Sequence, residues 1–243
     1  MLRSIREIIG YSLRALDADI GRLKDLLFDD RQWVVRYMAA DTGKWLPGRR
    51  VLLAPAQIGT PDWASRVLPV NLKREQIENA PSIQEHLPVS RQHEAELSMY
   101  YGWAPYWGPV GAPIGSTAPV PHSREHDKVA GDPNLRSVQE VTGYHIECSD
   151  NSVGHAEDFI AETQGWRIRY MVVDTRNWLP GRKVIISPEW IEDVDWAQRR
   201  ILVKLSCRQL RQSPVYDPSQ PVNREYESML YDYYGRPRYW DGE

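Results

Sequence analysis

Only two cysteines, Cys148 and Cys207, occur in 243 residues. So few thiols exclude a disulfide-dense secreted framework, and the expectation is a cytoplasmic chain without a structural disulfide. Long hydrophobic runs are also missing. No stretch approaches the roughly 18 apolar residues of a membrane span, and Met1–Glu7 lacks the apolar core and cleavage site of a leader. The chain therefore reads as soluble, with no transmembrane segment. Charge of one sign is absent too: 30 basic and 33 acidic residues leave a formal net charge of −3. That balance provides no sustained positive field and argues against a nucleic-acid partner. Phenylalanine is nearly absent, with 2 residues against 10 Trp and 13 Tyr. Trp and Tyr suit half-buried positions, where the ring packs and its N–H or O–H reaches a partner.

Catalytic and metal signatures are missing as well. There is no Cys-x-x-Cys, no glycine-rich phosphate loop and no G-x-S-x-G. His122 and His126 have i, i+4 spacing but lack a third defined ligand, which reads as chance rather than a site. No cofactor, metal or catalytic residue is assigned, and the chain reads as non-enzymatic.

What is present is repetition. Trp45-Leu46-Pro47-Gly48-Arg49-Arg50-Val51 returns as Trp178-Leu179-Pro180-Gly181-Arg182-Lys183-Val184, an offset of 133. The same offset carries Gly10 onto Gly143, Gly21 onto Gly154, Trp33 onto Trp166, Trp63 onto Trp196 and Trp107 onto Trp240 without a gap. Roughly 38 of about 104 aligned positions are identical, the signature of a tandem duplication. Each repeat is long enough to bury its own core. The expected division is a first domain over 1–108, a Gly/Pro-rich linker over 109–136 and a second domain over 137–243. Neither cysteine is shared, for they fall opposite Ala15 and Arg74. None of His86, His93, His145 and His155 is matched by a histidine in the other repeat.

Within the first repeat, Tyr11–Leu16 alternates apolar and polar residues as a half-buried strand does. Strands follow over Ile20–Phe28 and Trp33–Asp41 as a short hairpin, then over Arg49–Leu53 and near Val67–Leu72. On the third strand Trp33, Val35, Tyr37 and Ala39 share a core face, with Arg36 opposite. Pro47-Gly48 marks a tight turn. A short helix is expected over Lys73–Asn79. A longer one is capped by Ser90 and ends at Gly102, with its second-repeat equivalent between Asn223 and Gly235. Glu94, Leu97 and Tyr101 then share one helical face, as do Glu227, Leu230 and Tyr234.

These residues carry a resemblance. Gly10, Tyr11, Asp17, Gly21, Asp25, Trp33, Tyr37, Asp41, Trp45, Gly48, Val51 and Pro55 match the pattern of the PRC-barrel family, named after the photosynthetic reaction centre H subunit. Gly143, Tyr144, Asp150, Gly154, Asp158, Trp166, Tyr170, Asp174, Trp178, Gly181, Val184 and Pro188 match it again. The chain resembles stand-alone bacterial members, with Ala18 and Asn151 replacing the family's turn glycine. The resemblance implies a mainly β fold with short helices, namely two tandem PRC-type β-barrels related by internal duplication. It does not transfer a function, because the same fold serves the H subunit and the ribosome maturation factor.

The expected function is a non-enzymatic interaction or assembly module with a protein partner. Small-ligand or metal binding and a ribosome-maturation or RNA-processing role are the alternatives. The two repeats are expected to pack about a pseudo-two-fold axis through Tyr100, Tyr101, Tyr106, Trp107, Tyr233, Tyr234, Tyr239 and Trp240. Closing the first hairpin at Phe28 and Trp33 makes facing numbers sum to 61, which sets Asp25 across from Arg36; in the second repeat Asp158 falls across from Arg169. Structural ion pairs are expected at both places. The other shared charges, Asp41/Asp174, Asp62/Asp195, Arg66/Arg199, Arg91/Arg224 and Glu94/Glu227, are expected to pair within the fold.

Overall fold

The computed structural model describes residues 1–47, 49–84, 89–107, 134–175 and 182–242. Gly48 and residues 176–181 lie outside them, and with them the glycine of the first Trp-Leu-Pro-Gly turn and the whole of the second. So do His86 and most of the expected linker, including His122 and His126.

The fold is mainly β with short helices. One seven-stranded sheet is built on a first-repeat path in which β2 (Ser12–Arg14), β3 (Asp19–Asp29), β4 (Val34–Asp41) and β5 (Arg49–Leu53) are neighbours, with β6 (Val67–Pro69) beside β2 and β7 (Ile83–Gln84) beside β5. The other follows β12 (Lys183–Ile186), β11 (Ile168–Asp174), β10 (Ser152–Glu162), β9 (His145–Glu147), β14 (Arg200–Val203) and β13 (Ile191–Asp195). β2 and β6 run parallel, as do β9 and β14. The remaining ladders with a described register are antiparallel.

Each sheet gains a strand that the sequence reading passed over. β1 (Leu2–Ser4) pairs β10, and β8 (Leu135–Ser137) pairs β3. Both have the sequence Leu-Arg-Ser and lead into a one-turn helix, α1 (Ile5–Ile8) and α4 (Val138–Val141). Three residues are too few for periodicity to register. Two compact units follow from this pairing. One comprises Met1–Ile8, Gln32–Val35 and Ser137–Glu243; the other comprises Ile9–Arg31 and Arg36–Arg136. By this division the first eight residues and the hairpin tip of the expected 1–108 domain group with the second repeat. The end of the expected linker is strand.

Positions 133 apart share unusual backbone. Gly21 and Gly154 have φ of 130° and 128°, and a Cβ on either would lie 2.0 Å from the carbonyl oxygen of Asp41 or Asp174. No side chain fits there. Trp33 and Trp166 (φ 54° and 52°) and Arg66 and Arg199 (φ 55° and 56°) are left-handed without being glycine, a conformation costly for bulky residues. The third strand, expected from about Trp33, starts one residue later. Trp33 closes the hairpin, half-buried, and β4 starts at Val34. Both faces of β4 are largely covered, since Met38 and Ala40 are buried along with Val35, Tyr37 and Ala39.

The hairpin register of the second repeat is corrected. In the second repeat Asp158 faces Val172 and Ile160 faces Tyr170, and a bulge intervenes before Ala161 faces Ile168. The extra residues of the turn, with Gly165 at φ 80° and Trp166 left-handed, slide the strands out of the expected register.

The helices form where their signals stood. α2 (Arg74–Glu78) and α5 (Cys207–Gln212) are short. In α3 (Arg91–Tyr101) the Ser90 hydroxyl accepts from the His93 N–H, and Gly102 ends the helix at φ 69°. In α6 (Arg224–Tyr234) the Asn223 side chain accepts from the Tyr226 N–H, and Gly235 ends it at φ 61°. Leu97 of α3 packs with Leu27, Tyr37, Ala39, Leu52 and Val89, while Tyr101, Trp103 and Leu135 border that core.

Candidate functional site

Three of the shared charges, Arg36, Arg91 and Glu94 with their counterparts Arg169, Arg224 and Glu227, converge beneath the long helix of each repeat. Glu94, one turn into α3, is fully buried, and Glu227, one turn into α6, is 2% exposed. A buried carboxylate must be paired and hydrogen-bonded, because its desolvation otherwise costs several kcal/mol, of order 3–5. Both are supplied in the same way. In the second repeat the Tyr170 hydroxyl donates to Glu227 Oε1 at 2.6 Å and the Tyr239 hydroxyl donates to the same oxygen at 2.8 Å. Arg224 sits 3.1 Å from Oε2. In the first repeat the Tyr106 hydroxyl donates to Glu94 Oε2 at 2.9 Å, and Arg91 lies 3.4 Å from Oε1. Tyr37, the counterpart of Tyr170, also hydrogen-bonds Glu94.

A guanidinium floor completes the cage. Arg36 lies 4.0 Å from the centroid of the Tyr106 ring, and Arg169 lies 4.0 Å from that of Tyr239. Arg91 covers Trp107 at 4.4 Å and Arg224 covers Trp240 at 4.1 Å. Burial, then the neighbouring glutamate, pushes the Tyr37 phenol well above its ordinary value. Burial, then the hydrogen bond to Glu227, raises Tyr170 and Tyr239. The phenols thus stay protonated and remain donors.

The ion pair expected between Asp158 and Arg169 is replaced. Arg169 bonds Glu162 through Nε and Nη2, each at 3.0 Å, and Arg36 reaches Asp29 at 3.3 Å. Asp29 and Glu162 occupy equivalent positions, but as different residue types they escaped a search for identities. Asp158 does not pair with Arg169. Its carboxylate accepts from the Ser4 hydroxyl at 2.5 Å and from the backbone N–H groups of Arg6 and Phe159 at 3.0 and 2.7 Å. Asp25 accepts from the Leu26 N–H at 2.8 Å.

Among the expected interface residues, Tyr106, Trp107, Tyr239 and Trp240 are half-buried members of these cages, and Tyr234 is buried against Trp190 at 4.6 Å. Tyr101 stacks on Trp103 at 4.5 Å and 13°. Tyr100 and Tyr233 remain exposed, at 42% and 39%. Their hydroxyls donate to the carbonyls of Gln76 and Gln209, each at 2.9 Å, which ties the long helix to the short one.

Sequence reasoning named Glu94, Arg91, Arg36 and their counterparts as internally paired. It missed the phenols that complete the cage, because Tyr37 and Tyr170 read as plain core from their alternation. No protein-family model matches the chain, and no curated protein matches it. Among the described residues no helix is long and apolar enough to cross a membrane.

Proposed function

We propose that the chain is a duplicated PRC-type protein whose two barrels form a non-enzymatic interaction or assembly module. The observation that carries this reading is the closed glutamate cage. A carboxylate held by two phenols and an arginine inside the fold is occupied as an anchor for the helix, whereas a general base needs a free lone pair within reach of substrate. The cage fixes the long helix so that its outer side stands in a defined place, with Met99 and Tyr100 exposed on α3 and Met229 and Tyr233 exposed on α6. Rigid helices presenting aromatic and Met side chains are what a protein partner grips best.

The test uses the full-length chain and its Met99→Ser/Met229→Ser variant, which spares the hydroxyl bonds of Tyr100 and Tyr233. A protein captured by the first and lost by the second, at equal melting temperature, supports the module. A small molecule retained in stoichiometric amount under native mass spectrometry overturns it in favour of ligand binding. Co-sedimentation with small ribosomal subunits at moderate salt favours the ribosomal alternative.

A further inference from the structure

The two cysteines are distant in sequence and adjacent in space. Cys148 follows β9, Cys207 is the first residue of α5, and their sulfurs lie 2.8 Å apart across a separation of 59 residues. Both thiols are free, Cys207 buried and Cys148 half-buried. Three backbone ties hold the positions together. The Cys207 N–H donates to Asp150 Oδ1 at 2.7 Å, Cys148 N–H to the Asn151 carbonyl at 2.7 Å and Ser149 N–H to the Leu205 carbonyl at 3.0 Å.

The first repeat builds the same corner without sulfur. There Arg74 N–H donates to Asp17 Oδ1 at 2.8 Å, Ala15 N–H to Ala18 at 2.8 Å and Leu16 N–H to Leu72 at 3.0 Å. Ala15 is buried, and the Arg74 guanidinium lies 4.5 Å over the Trp45 ring. The approach of the two positions is therefore a property of the backbone, and the second repeat alone places a thiol on each.

We propose that Cys148 and Cys207 form an oxidation site that closes to an intramolecular disulfide by exchange with a low-molecular-weight disulfide such as oxidised glutathione. The more exposed Cys148 thiolate attacks one glutathione sulfur and expels a glutathione thiolate. Cys207, deprotonated in turn, attacks the Cys148 sulfur of the mixed disulfide and expels the second. Two protein thiols are oxidised, one glutathione disulfide is reduced to two thiols, and the two protons pass to the departing glutathiones. The alternative occupant is a metal, since Asp150 lies close enough to be a third ligand. Two thiolates on zinc at about 2.3 Å in a tetrahedron sit about 3.8 Å apart, farther than these sulfurs. The Asp150 oxygen is moreover engaged by a backbone N–H.

Burial raises both thiols, so the exchange is slow near neutrality and faster at alkaline pH. That behaviour suits a staple closed once rather than a rapid sensor.

The experiment exposes the purified full chain to oxidised glutathione at mildly alkaline pH, followed by intact mass and non-reducing peptide mapping. The expected product is lighter by two hydrogens, carries a Cys148–Cys207 cross-linked peptide and melts higher by roughly 5–15 °C. Cys148→Ala, on the half-buried side, abolishes all three changes while the reduced variant keeps the reduced wild-type melting temperature. Stable glutathione adducts, intermolecular dimers, thiols still free at the end, or zinc copurifying with protected thiols would each overturn the proposal.

Discussion

The glutamate cages of the two repeats are alike in nearly every member, but the surroundings of their helices differ. In the second repeat Trp190 meets Tyr231 at 5.4 Å and Tyr234 at 4.6 Å, and Tyr231 meets Trp240 at 5.2 Å. The equivalent first-repeat positions are Gln57 and Ser98, and Trp103 instead stacks on Tyr101. Near the sheet, Glu157 is salt-bridged by Arg6 at 2.8 Å and Lys183 at 2.7 Å, whereas the equivalents of Glu157 and Lys183 are Lys24 and Arg50. The cage fixes where the helix lies and tolerates little change. The packing around it has several solutions and has diverged.

The strongest way to break this comparison is at the shared glycines. Gly21→Ala and Gly154→Ala drive a Cβ into a backbone oxygen at 2.0 Å and demand a φ that alanine avoids, so each is expected to cost roughly 4 kcal/mol or more. Denaturant unfolding should show equal losses in the two repeats, and unequal losses would deny that the bend is common scaffold.

A second effect separates neighbours on β10. Burial raises the Glu157 carboxyl, but the hydrogen bonds from Lys183 and Arg6 outweigh it and leave the group below its ordinary 4.5. Its stabilisation is complete above that value and lost as pH falls. Burial lifts Asp158 above its ordinary 3.8 against the bonds from Ser4 and Arg6, so its contribution is complete below 3.8 and lost as pH rises through the folded value. Glu157→Gln is expected to melt below wild type at neutral pH and to converge with it near pH 3. Asp158→Asn, matched to wild type in acid, gains on it toward neutrality. Parallel curves would contradict this assignment.

Smaller still is a difference of one residue on the long helix, His93 against Tyr226. Burial outweighs the attraction of Glu96 and holds the His93 imidazole below its ordinary 6.5. The folded state favours neutral histidine, so stability is full above 6.5 and falls as pH drops through the lower folded value. His93→Tyr, which installs the second-repeat residue, should flatten the melting temperature between pH 7 and 5. The smallest effect is expected at Arg66 and Arg199, exposed and left-handed. Asparagine tolerates that conformation better, and Arg66→Asn should stabilise by under about 1 kcal/mol in thermal melts.

Much of this architecture is legible in the sequence, for stated reasons. The caps Ser90 and Asn223 and the stops Gly102 and Gly235 are local chemistry, and the structure uses each of them. The strand Arg49–Leu53 falls where Pro-Gly and Pro55 bracket it. The exchange of Leu2–Ser4 and Leu135–Ser137 was not legible, because pairing partners far apart in sequence leave no periodic trace. The register failed because a left-handed tryptophan and a bulge lengthen the turn, and no propensity predicts φ > 0 at Trp166. The cage was half legible. Its charges stood out as shared, while its phenols were indistinguishable from core.

The central claim is that the buried glutamate is a structural pin whose energy resides in its phenol partners. A double-mutant cycle on Glu227→Gln and Tyr170→Phe, read by equilibrium denaturation, tests it most directly. Each single change is expected to cost roughly 1–3 kcal/mol, the two to be coupled by about 1 kcal/mol or more, and the same cycle on Glu94 and Tyr37 to give a similar coupling. A coupling near zero in both repeats, with partner capture lost at unchanged stability, would contradict it and make the glutamates a functional site.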